Sequence, residues 1–230
     1  MVTLRRHQLA YLSPAAWLRI GAEQADDESR RCTTWWAAHR LPVVVTRQPE
    51  QAAVDGVSVG LPAPAEFGHR RIALRVAWQE ILWFDEFPRT EDIAPQLPRK
   101  VGHAWRAWCH SLAAAGGQAR VYGSRGWRSL TGLSHVRRGS DIDLWIGVGD
   151  DATADAVAAL LAHAPQGLPR VDGELMFEDG AAVAWREWQA WRSGASRALL
   201  VRTIDRSFLR WSPAPLQVPC PEAAETAEAA

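Results

Sequence analysis

The segment V-Y-G-S-R-G-W-R-S-L-T-G-L-S-H-V-R-R-G-S-D-I-D-L-W-I, residues 121–146, joins two short apolar strands through a polar connection. The second strand carries Asp141 and Asp143, and because strand side chains alternate between two faces, both carboxylates project from the same face. Two neighbouring carboxylates repel each other, and a divalent cation or basic neighbours would keep both ionised. Taken alone, this pair fits a magnesium site or two solvated aspartates at a strand end.

The first strand ends at Gly123 and Ser124, and these two residues favour the magnesium site. Glycine lets a phosphate approach the backbone, and a serine at a helix start offers a hydroxyl beside unpaired N–H groups. A strand, Gly-Ser, a helix and then a strand with D-x-D resembles the active site of the nucleotidyltransferase superfamily. That resemblance implies a triphosphate on the Gly-Ser turn and metal on the aspartates.

A closer resemblance covers nearly the whole chain. The motifs that carry it are Tyr122-Gly123-Ser124, Trp127, Leu130-Thr131-Gly132-Leu133, Ser140-Asp141-Ile142-Asp143-Leu144, Val59-Gly60-Leu61-Pro62, Arg70-Arg71-Ile72-Ala73, Asp172-Gly173-Glu174 and Ala184-Trp185-Arg186-Glu187. Together they are similar to the family of malonate decarboxylase holo-acyl-carrier-protein synthases, the phosphoribosyl-dephospho-coenzyme A transferases. The chain departs from the family pattern at Arg125-Gly126, where an apolar residue and alanine are expected, and at Trp145, where an aliphatic residue is expected.

The resemblance implies an enzyme that attaches a prosthetic group. Its donor would be triphosphoribosyl-dephospho-coenzyme A, its acceptor a serine of the apo acyl carrier protein of malonate decarboxylase, and pyrophosphate would be released. Asp141 and Asp143 would be catalytic and hold Mg²⁺, while Gly123 and Ser124 would bind the outer phosphates. Two other functions stay open: a conventional nucleotidyltransferase that uses a nucleoside triphosphate, and a non-catalytic module that binds a carrier protein.

Two further substrate or metal contacts are expected from later strands. Superfamily members usually add a third carboxylate beside the first two, and Asp172 is the expected third metal ligand, with Glu174 as the alternative. A plain Asp-Gly turn before the strand would explain Asp172 without a metal. Arg202, at the end of the last predicted strand, could reach a phosphate.

The pattern of apolar residues predicts an α/β (α+β) protein with two domains. Residues 1–90 form a small α+β domain that could recognise the carrier protein or the donor. Residues 96–212 form a nucleotidyltransferase-like mixed sheet with helices, and residues 213–230 form a disordered tail. Helices are expected near 14–22, 27–40, 100–115, 151–164 and 184–192, and strands near 43–46, 57–61, 71–77, 119–122, 141–146, 170–177 and 199–202. The proline-punctuated residues 88–98 are expected to be a linker or a domain boundary.

The composition and net charge bear on the partners and the cellular compartment that are expected. The formal net charge is zero, which gives no support for nucleic acid or an anionic membrane as a partner. Three widely spaced cysteines, no signal peptide and no long apolar run favour the cytoplasm. His7, His39 and His69 are each expected at the surface or in capping positions. Arg70 and Arg71 could solvate a strand entrance, meet phosphate or contact an acidic carrier protein.

Overall fold

A computed structural model describes residues 3–49 and 56–211 of the chain. The predicted tail at 213–230 lies outside the described residues. The described chain contains two β-sheets and several helices, which confirms the predicted α+β class. None of its helices combines the length and the apolar character that crossing a bilayer requires.

Among the described residues, the first unit consists of five strands and two α-helices, with short 3-10 turns between strands. Its elements in chain order are β1 (Leu9–Leu12), α1 (Pro14–Glu23), α2 (Asp27–Ala38), β2 (Val43–Val45), β3 (Val57–Pro62), β4 (Arg71–Val76) and β5 (Ile81–Asp85). The strands form one antiparallel sheet in the order β4-β3-β2-β1-β5. A core of aliphatic and aromatic side chains lies between the helices and the sheet.

Both helices of this unit start where the sequence predicts. The side chain of Ser13 accepts a hydrogen bond from the backbone N–H of Ala16, and Pro14 occupies the first turn of α1. Asp26 caps α2 in the same way by accepting from the N–H of Ser29. Each cap pairs an N–H group that the first turn would otherwise leave unsatisfied, which stabilises the helix by about 1 kcal/mol.

The stretch predicted as a linker is a packed connection. Residues Thr90–Gln96 form a 3-10 helix, and Ile93 within it is fully buried. The indole N–H of Trp105 donates to the carbonyl oxygen of Thr90 at 2.9 Å. The polar side chains and Pro95 lie around one buried isoleucine, Ile93, which fixes the segment to the core of the second unit.

The second unit consists of six strands and four helices among the described residues. Its elements in chain order are α3 (Gly102–Ala114), β6 (Gln118–Val121), α4 (Gly123–Thr131), β7 (Ile142–Val148), α5 (Asp151–Ala162), β8 (Val171–Phe177), β9 (Ala182–Ala184), α6 (Trp185–Arg192), β10 (Ala198–Arg202) and β11 (Ser207–Trp211). The strands form one sheet in the order β11-β10-β9-β8-β7-β6. Strands β7 and β8 are parallel and the other neighbours antiparallel, so the sheet is mixed as predicted.

The two faces of the second sheet have different surroundings. Ile142, Leu144 and Ile146 alternate along β7 and pack with buried residues of α3, α5 and α6. Asp143 and the carboxylates of β8 project from the opposite face, as the period of two requires. That second face meets the first unit, so the polar side chains lie between the two units.

Helix α4 connects the two units directly. Its Trp127 is buried in the core of the first unit, where its ring lies 5.4 Å from the ring of Phe87 and 6.2 Å from that of Trp36. The helix that begins at the Gly-Ser turn is therefore packed against one sheet while its first residue follows a strand of the other. The position of the turn depends on both units.

Candidate active site

Strand β6 and helix α4 meet in a tight turn at Tyr122 and Gly123. The N–H of Tyr122 donates to the carbonyl oxygen of Asp143 at 2.9 Å, which ties the turn to β7. Gly123 has φ 61°, and an ideal Cβ there would lie 2.0 Å from Oδ2 of Asp143. No other residue type fits this position without moving the carboxylate. Glycine therefore allows the Asp143 carboxylate to pack directly against the start of α4.

The first turn of α4 offers backbone donors to a ligand. No side chain caps the helix at Tyr122, and Ser124 is the second residue of the helix. The first N–H groups of a helix have no intrahelical acceptor and carry a partial positive charge, which suits phosphate oxygens. The structure thus places Gly123 and Ser124 where the sequence puts a phosphate-binding turn; their contact with substrate stays a prediction.

Two aspartates share one face of the sheet beside this turn, and a third acts on one of them through its charge. Asp143 and Asp172 are direct partners on the parallel strands β7 and β8, so their side chains share one face at the strand spacing of about 4.8 Å. Asp141 immediately precedes β7. Burial raises the pKa of Asp143, and the charges of Asp141 and Asp172 raise it further, against smaller lowering effects of His7 and Arg125. The group therefore carries negative charge that the protein does not fully compensate.

The oxygen donors of this group suit magnesium. Mg²⁺ commonly uses one or two carboxylates together with substrate phosphates, and Asp141 and Asp143 supply that many next to the Gly-Ser turn. Across residues 3–49 and 56–211, no three His, Cys, Asp or Glu side chains converge into a ready-made metal cage. Asp172 is partly engaged, since its Oδ2 accepts from Arg170 at 3.1 Å and its Oδ1 from the N–H of Gly173 at 2.9 Å. Its role as a third ligand stays a prediction.

Arg125, one of the departures from the family pattern, is buried next to the carboxylates. Only 7% of its surface is exposed, and its Nε atom has no hydrogen-bond partner among the described residues. Burial and the neighbouring charge of Arg128 lower its pKa, while Asp143 raises it. The guanidinium offsets part of the charge of Asp143 from within the protein. An apolar residue at this position would not provide that effect.

Glu174, the alternative third carboxylate, is already paired. Both of its oxygens lie 3.2 Å from Nη2 of Arg6, and Oε2 lies 3.0 Å from Nε2 of His7. Burial would raise the pKa of Glu174, but the His7 hydrogen bond and the charge of Arg6 outweigh it and lower the pKa to about 2. Glu174 is therefore a connection between the two units, and Asp172 is the carboxylate beside Asp143.

Arg202 belongs to the same network as Glu174. Its Nη1 lies 3.9 Å from Oε1 of Glu174, and its Nη2 lies 3.8 Å from Oε1 of Glu187. It lies two strands away from β8 in the sheet and does not line the cavity beside Gly123. The structure brings Gly123, Ser124 and Asp143 to one cavity and sets Asp172 beside Asp143, but it does not bring Arg202 to them. Phosphate binding by Arg202 stays a prediction.

A cavity of about 950 Å³ opens between the two units beside the turn. Its catalytic side contains Gly123, Ser124 and Asp143, and its opposite wall is the sheet of the first unit. The apolar part of that wall includes Val44, Val59, Leu61 and Ile72, and the charged lining includes Arg70, Arg71 and Arg137. Arg70 is paired with carboxylates of α2, so Arg71 and Arg137 are the arginines that favour an anionic ligand, and the apolar wall favours a ligand with an apolar part.

Sequence reasoning missed the position of His7 in this site. His7 was expected at the surface or in a capping position, yet its side chain is only 16% exposed, lines the cavity and stacks on Tyr122 with ring centroids 4.0 Å apart. The partners of Arg70 were not indicated either: its guanidinium pairs with Asp26 at 2.8 Å and Glu28 at 2.6 Å and so ties β4 to α2. These partners are distant in sequence, and no local spacing indicates them.

The sequence matches one protein family and several known proteins over most of its length. Residues 5–87 match the N-terminal domain and residues 76–213 the C-terminal domain of the family "phosphoribosyl-dephospho-CoA transferase MdcG". A phosphoribosyl-dephospho-CoA transferase of Bradyrhizobium diazoefficiens is 35% identical over 218 residues, 89% of this chain and 88% of that protein. One of Xanthomonas campestris pv. campestris is 34% identical over 211 residues, 87% and 91% of the two chains. No solved structure matches. The chain belongs to the phosphoribosyl-dephospho-CoA transferase family.

Proposed function

We propose that this member of the phosphoribosyl-dephospho-CoA transferase family transfers the phosphoribosyl-dephospho-CoA group from triphosphoribosyl-dephospho-CoA to a serine of an apo acyl carrier protein. The acceptor would be the carrier subunit of malonate decarboxylase, and pyrophosphate would leave. The observation that carries the proposal is the packing of Asp143 against Gly123 in the lining of a cavity of about 950 Å³. A triphosphate on the turn would then have its reacting phosphate next to the carboxylates.

The chain's own residues would divide the donor between the two units. The N–H groups at the start of α4 and the hydroxyl of Ser124 would hold the two outer phosphates, which are the ones that leave. The apolar wall of the first unit would receive the dephospho-CoA part, with Arg71 and Arg137 near its phosphates. We therefore assign donor recognition to the N-terminal unit in preference to carrier-protein recognition.

Magnesium is the cofactor that we propose for these carboxylates. Bound by Asp141 and Asp143, with Asp172 as a third ligand or as a support for them, it would neutralise charge on the triphosphate and on the leaving pyrophosphate. Asp143 would supply its ligand oxygen from a position fixed by Gly123. The raised pKa of Asp143 in the protein alone supports a site built for a cation, since a bound cation would favour the ionised form.

The cytoplasm is the compartment we propose. Cys32 is buried in the core of the first unit and Cys109 in the core of the second, and both are unpaired thiols. Burial raises the pKa of Cys32 to about 12 and that of Cys109 to about 11, so both stay protonated and unreactive. Two structural thiols of this kind suit a reducing environment.

Mass spectrometry of the acceptor tests the function. The protein is incubated with triphosphoribosyl-dephospho-CoA and apo acyl carrier protein, with either magnesium or a chelator present. We expect the carrier mass to increase by one phosphoribosyl-dephospho-CoA group, on a serine, only with magnesium. The addition of a nucleoside monophosphate from a nucleoside triphosphate would instead identify a conventional nucleotidyltransferase. Carrier binding without any mass change would identify a binding module.

A further inference from the structure

His7 and Glu174 form a histidine-carboxylate pair across the boundary between the two units. Nε2 of His7 lies 3.0 Å from Oε2 of Glu174, and the same carboxylate is held by Arg6. The two residues are 167 positions apart in the chain. The contact therefore exists only when the first unit is docked on the face of the second sheet that carries the aspartates.

The hydrogen bond fixes which nitrogen of His7 carries the proton. Both oxygens of Glu174 lie 3.2 Å from Nη2 of Arg6, so Glu174 is the carboxylate of an ion pair, and an ionised carboxylate can only accept hydrogen bonds. Nε2 of His7 must therefore be the donor. In the neutral ring the other nitrogen, Nδ1, then carries the lone pair, and it has no hydrogen-bond partner in the part of the chain that the structure describes.

The ring of His7 lies at the cavity that contains the candidate active site. His7 lines the same cavity as Gly123, Ser124 and Asp143, and its ring is held from one side by stacking on Tyr122. The backbone of His7 has φ 61°, a conformation that histidine adopts only at some cost in free energy. Strained residues of this kind concentrate at functional sites, where the surrounding contacts hold them in place.

We propose that His7 is the general base that accepts the proton of the acceptor serine, with Glu174 as the residue that positions its ring. This inference rests on the proposed function. The serine oxygen forms a bond to the α-phosphorus of the donor as the bond from that phosphorus to the bridging oxygen of the β-phosphate breaks. That electron pair leaves with pyrophosphate, the hydroxyl proton passes to Nδ1 of His7, and His7 returns it to solvent.

Two variants separate a base from a structural contact. In His7→Gln, the side-chain amide N–H can replace the Nε2–H donor to Glu174, but the proton-accepting Nδ1 is lost. In His7→Gly, the φ of 61° is unstrained and the missing ring leaves room for added imidazole. His163→Gln serves as the control, because His163 lies at the exposed end of α5 and away from the cavity.

The expected results are specific to proton transfer. For His7→Gln, the melting temperature should equal that of the wild-type protein, and the Kd for the donor, measured by calorimetry, should lie within threefold of the wild-type value. The kcat of transfer should fall about 10²-fold to 10⁴-fold. Added imidazole should restore part of the transfer in His7→Gly and none in His7→Gln. His163→Gln should match the wild-type protein in melting temperature, in Kd for the donor, in kcat and in its response to imidazole.

Three outcomes would overturn the proposal. His7→Gln that transfers within threefold of the wild-type rate would show that the hydrogen bond to Glu174 is all that His7 provides. A loss of transfer in both variants without imidazole rescue of His7→Gly would assign His7 a structural role. Wild-type protein that binds the donor but adds no group to the carrier would instead overturn the proposed function, and this inference with it.

Discussion

The carboxylate of Asp143 occupies the space that a Cβ on Gly123 would need, with Oδ2 2.0 Å from that position. The absence of a side chain at Gly123 and the position of the Asp143 carboxylate therefore depend on each other. Any ligand that reaches the N–H groups of the turn also reaches Asp143. This packing explains why glycine is required at the turn more directly than its positive φ does.

Replacing Gly123 by alanine should disturb the site beyond the cost of backbone strain. The new methyl group must displace Asp143, so we expect transfer to fall at least 100-fold and the free energy of unfolding to fall by about 2 kcal/mol or more.

Gly132→Ala is the matched control: Gly132 ends the same helix with φ 73°, and no atom lies within 4 Å of the position that its new methyl group would take. This control should cost only about 1 kcal/mol and leave kcat nearly unchanged; equal effects of the two changes on kcat would contradict the packing argument. Urea unfolding and steady-state kinetics measure both.

Replacing Asp143 by asparagine should stabilise the metal-free protein. Burial and two neighbouring aspartates raise the pKa of Asp143, so its charged form is unfavourable in the fold at pH 7. We expect a melting temperature equal to or above that of the wild-type protein, no shift on adding magnesium and donor, and a loss of transfer by several orders of magnitude. Asp179→Asn, on an exposed turn, should change none of these. Transfer at even a tenth of the wild-type rate would contradict the metal-carboxylate mechanism, since a tenfold loss is only about 1.4 kcal/mol.

Replacing Arg6 by glutamine should weaken the attachment of the first unit to the second. Glu174 is 12% exposed at its side chain and would lose its principal cation. Breaking a buried pair typically costs about 3–5 kcal/mol, and the 22% exposure of the Arg6 side chain reduces this to about 2 kcal/mol. The neighbouring Arg5 is exposed and should tolerate the same change without loss of stability. Chemical unfolding compares the two variants, and equal midpoints would remove Arg6 from the docking contact.

The stability of the protein should fall between about pH 6.5 and pH 4 in part because of His135. Burial lowers its pKa to about 4, whereas the unfolded chain takes up this proton near pH 6.5. The contribution of the neutral ring is therefore fully present above pH 6.5 and is lost as the pH falls towards 4. His135→Phe keeps an aromatic ring between Trp36 and Trp127 and should show a shallower decline of the urea midpoint over this range. The two proteins should have parallel pH profiles between pH 7 and pH 8; parallel profiles below pH 6.5 as well would contradict the assignment.

The residues of the catalytic turn could be predicted because their signals are local. Gly123 and Ser124 follow an apolar strand, and Asp141 and Asp143 are spaced by the period of a strand, so no distant contact is needed to interpret them. Asp172 was expected from chain order alone, and the parallel register with β7 places it beside Asp143. Sequence order could not distinguish it from Glu174, because both project from the same face of one strand.

The missed features depend on contacts between distant segments. His7 and Arg6 meet Glu174 only through the docking of the two units, and an isolated histidine near the N-terminus carries no local signal. Strand β11 was missed for a different reason: all five of its residues are exposed, so it lacks the alternation that marks a half-buried strand. Pairing with β10 along its whole length forms it.

The burial of Trp127 in the first unit restricts how this protein can evolve. Helix α4 starts in the catalytic sheet and inserts its tryptophan into the other core, beside Phe87 and Trp36. A gene fragment that encodes either unit alone would leave an exposed indole on one side or an unfilled core on the other. A protein that joins one half to a different partner would have to supply a substitute for that single side chain.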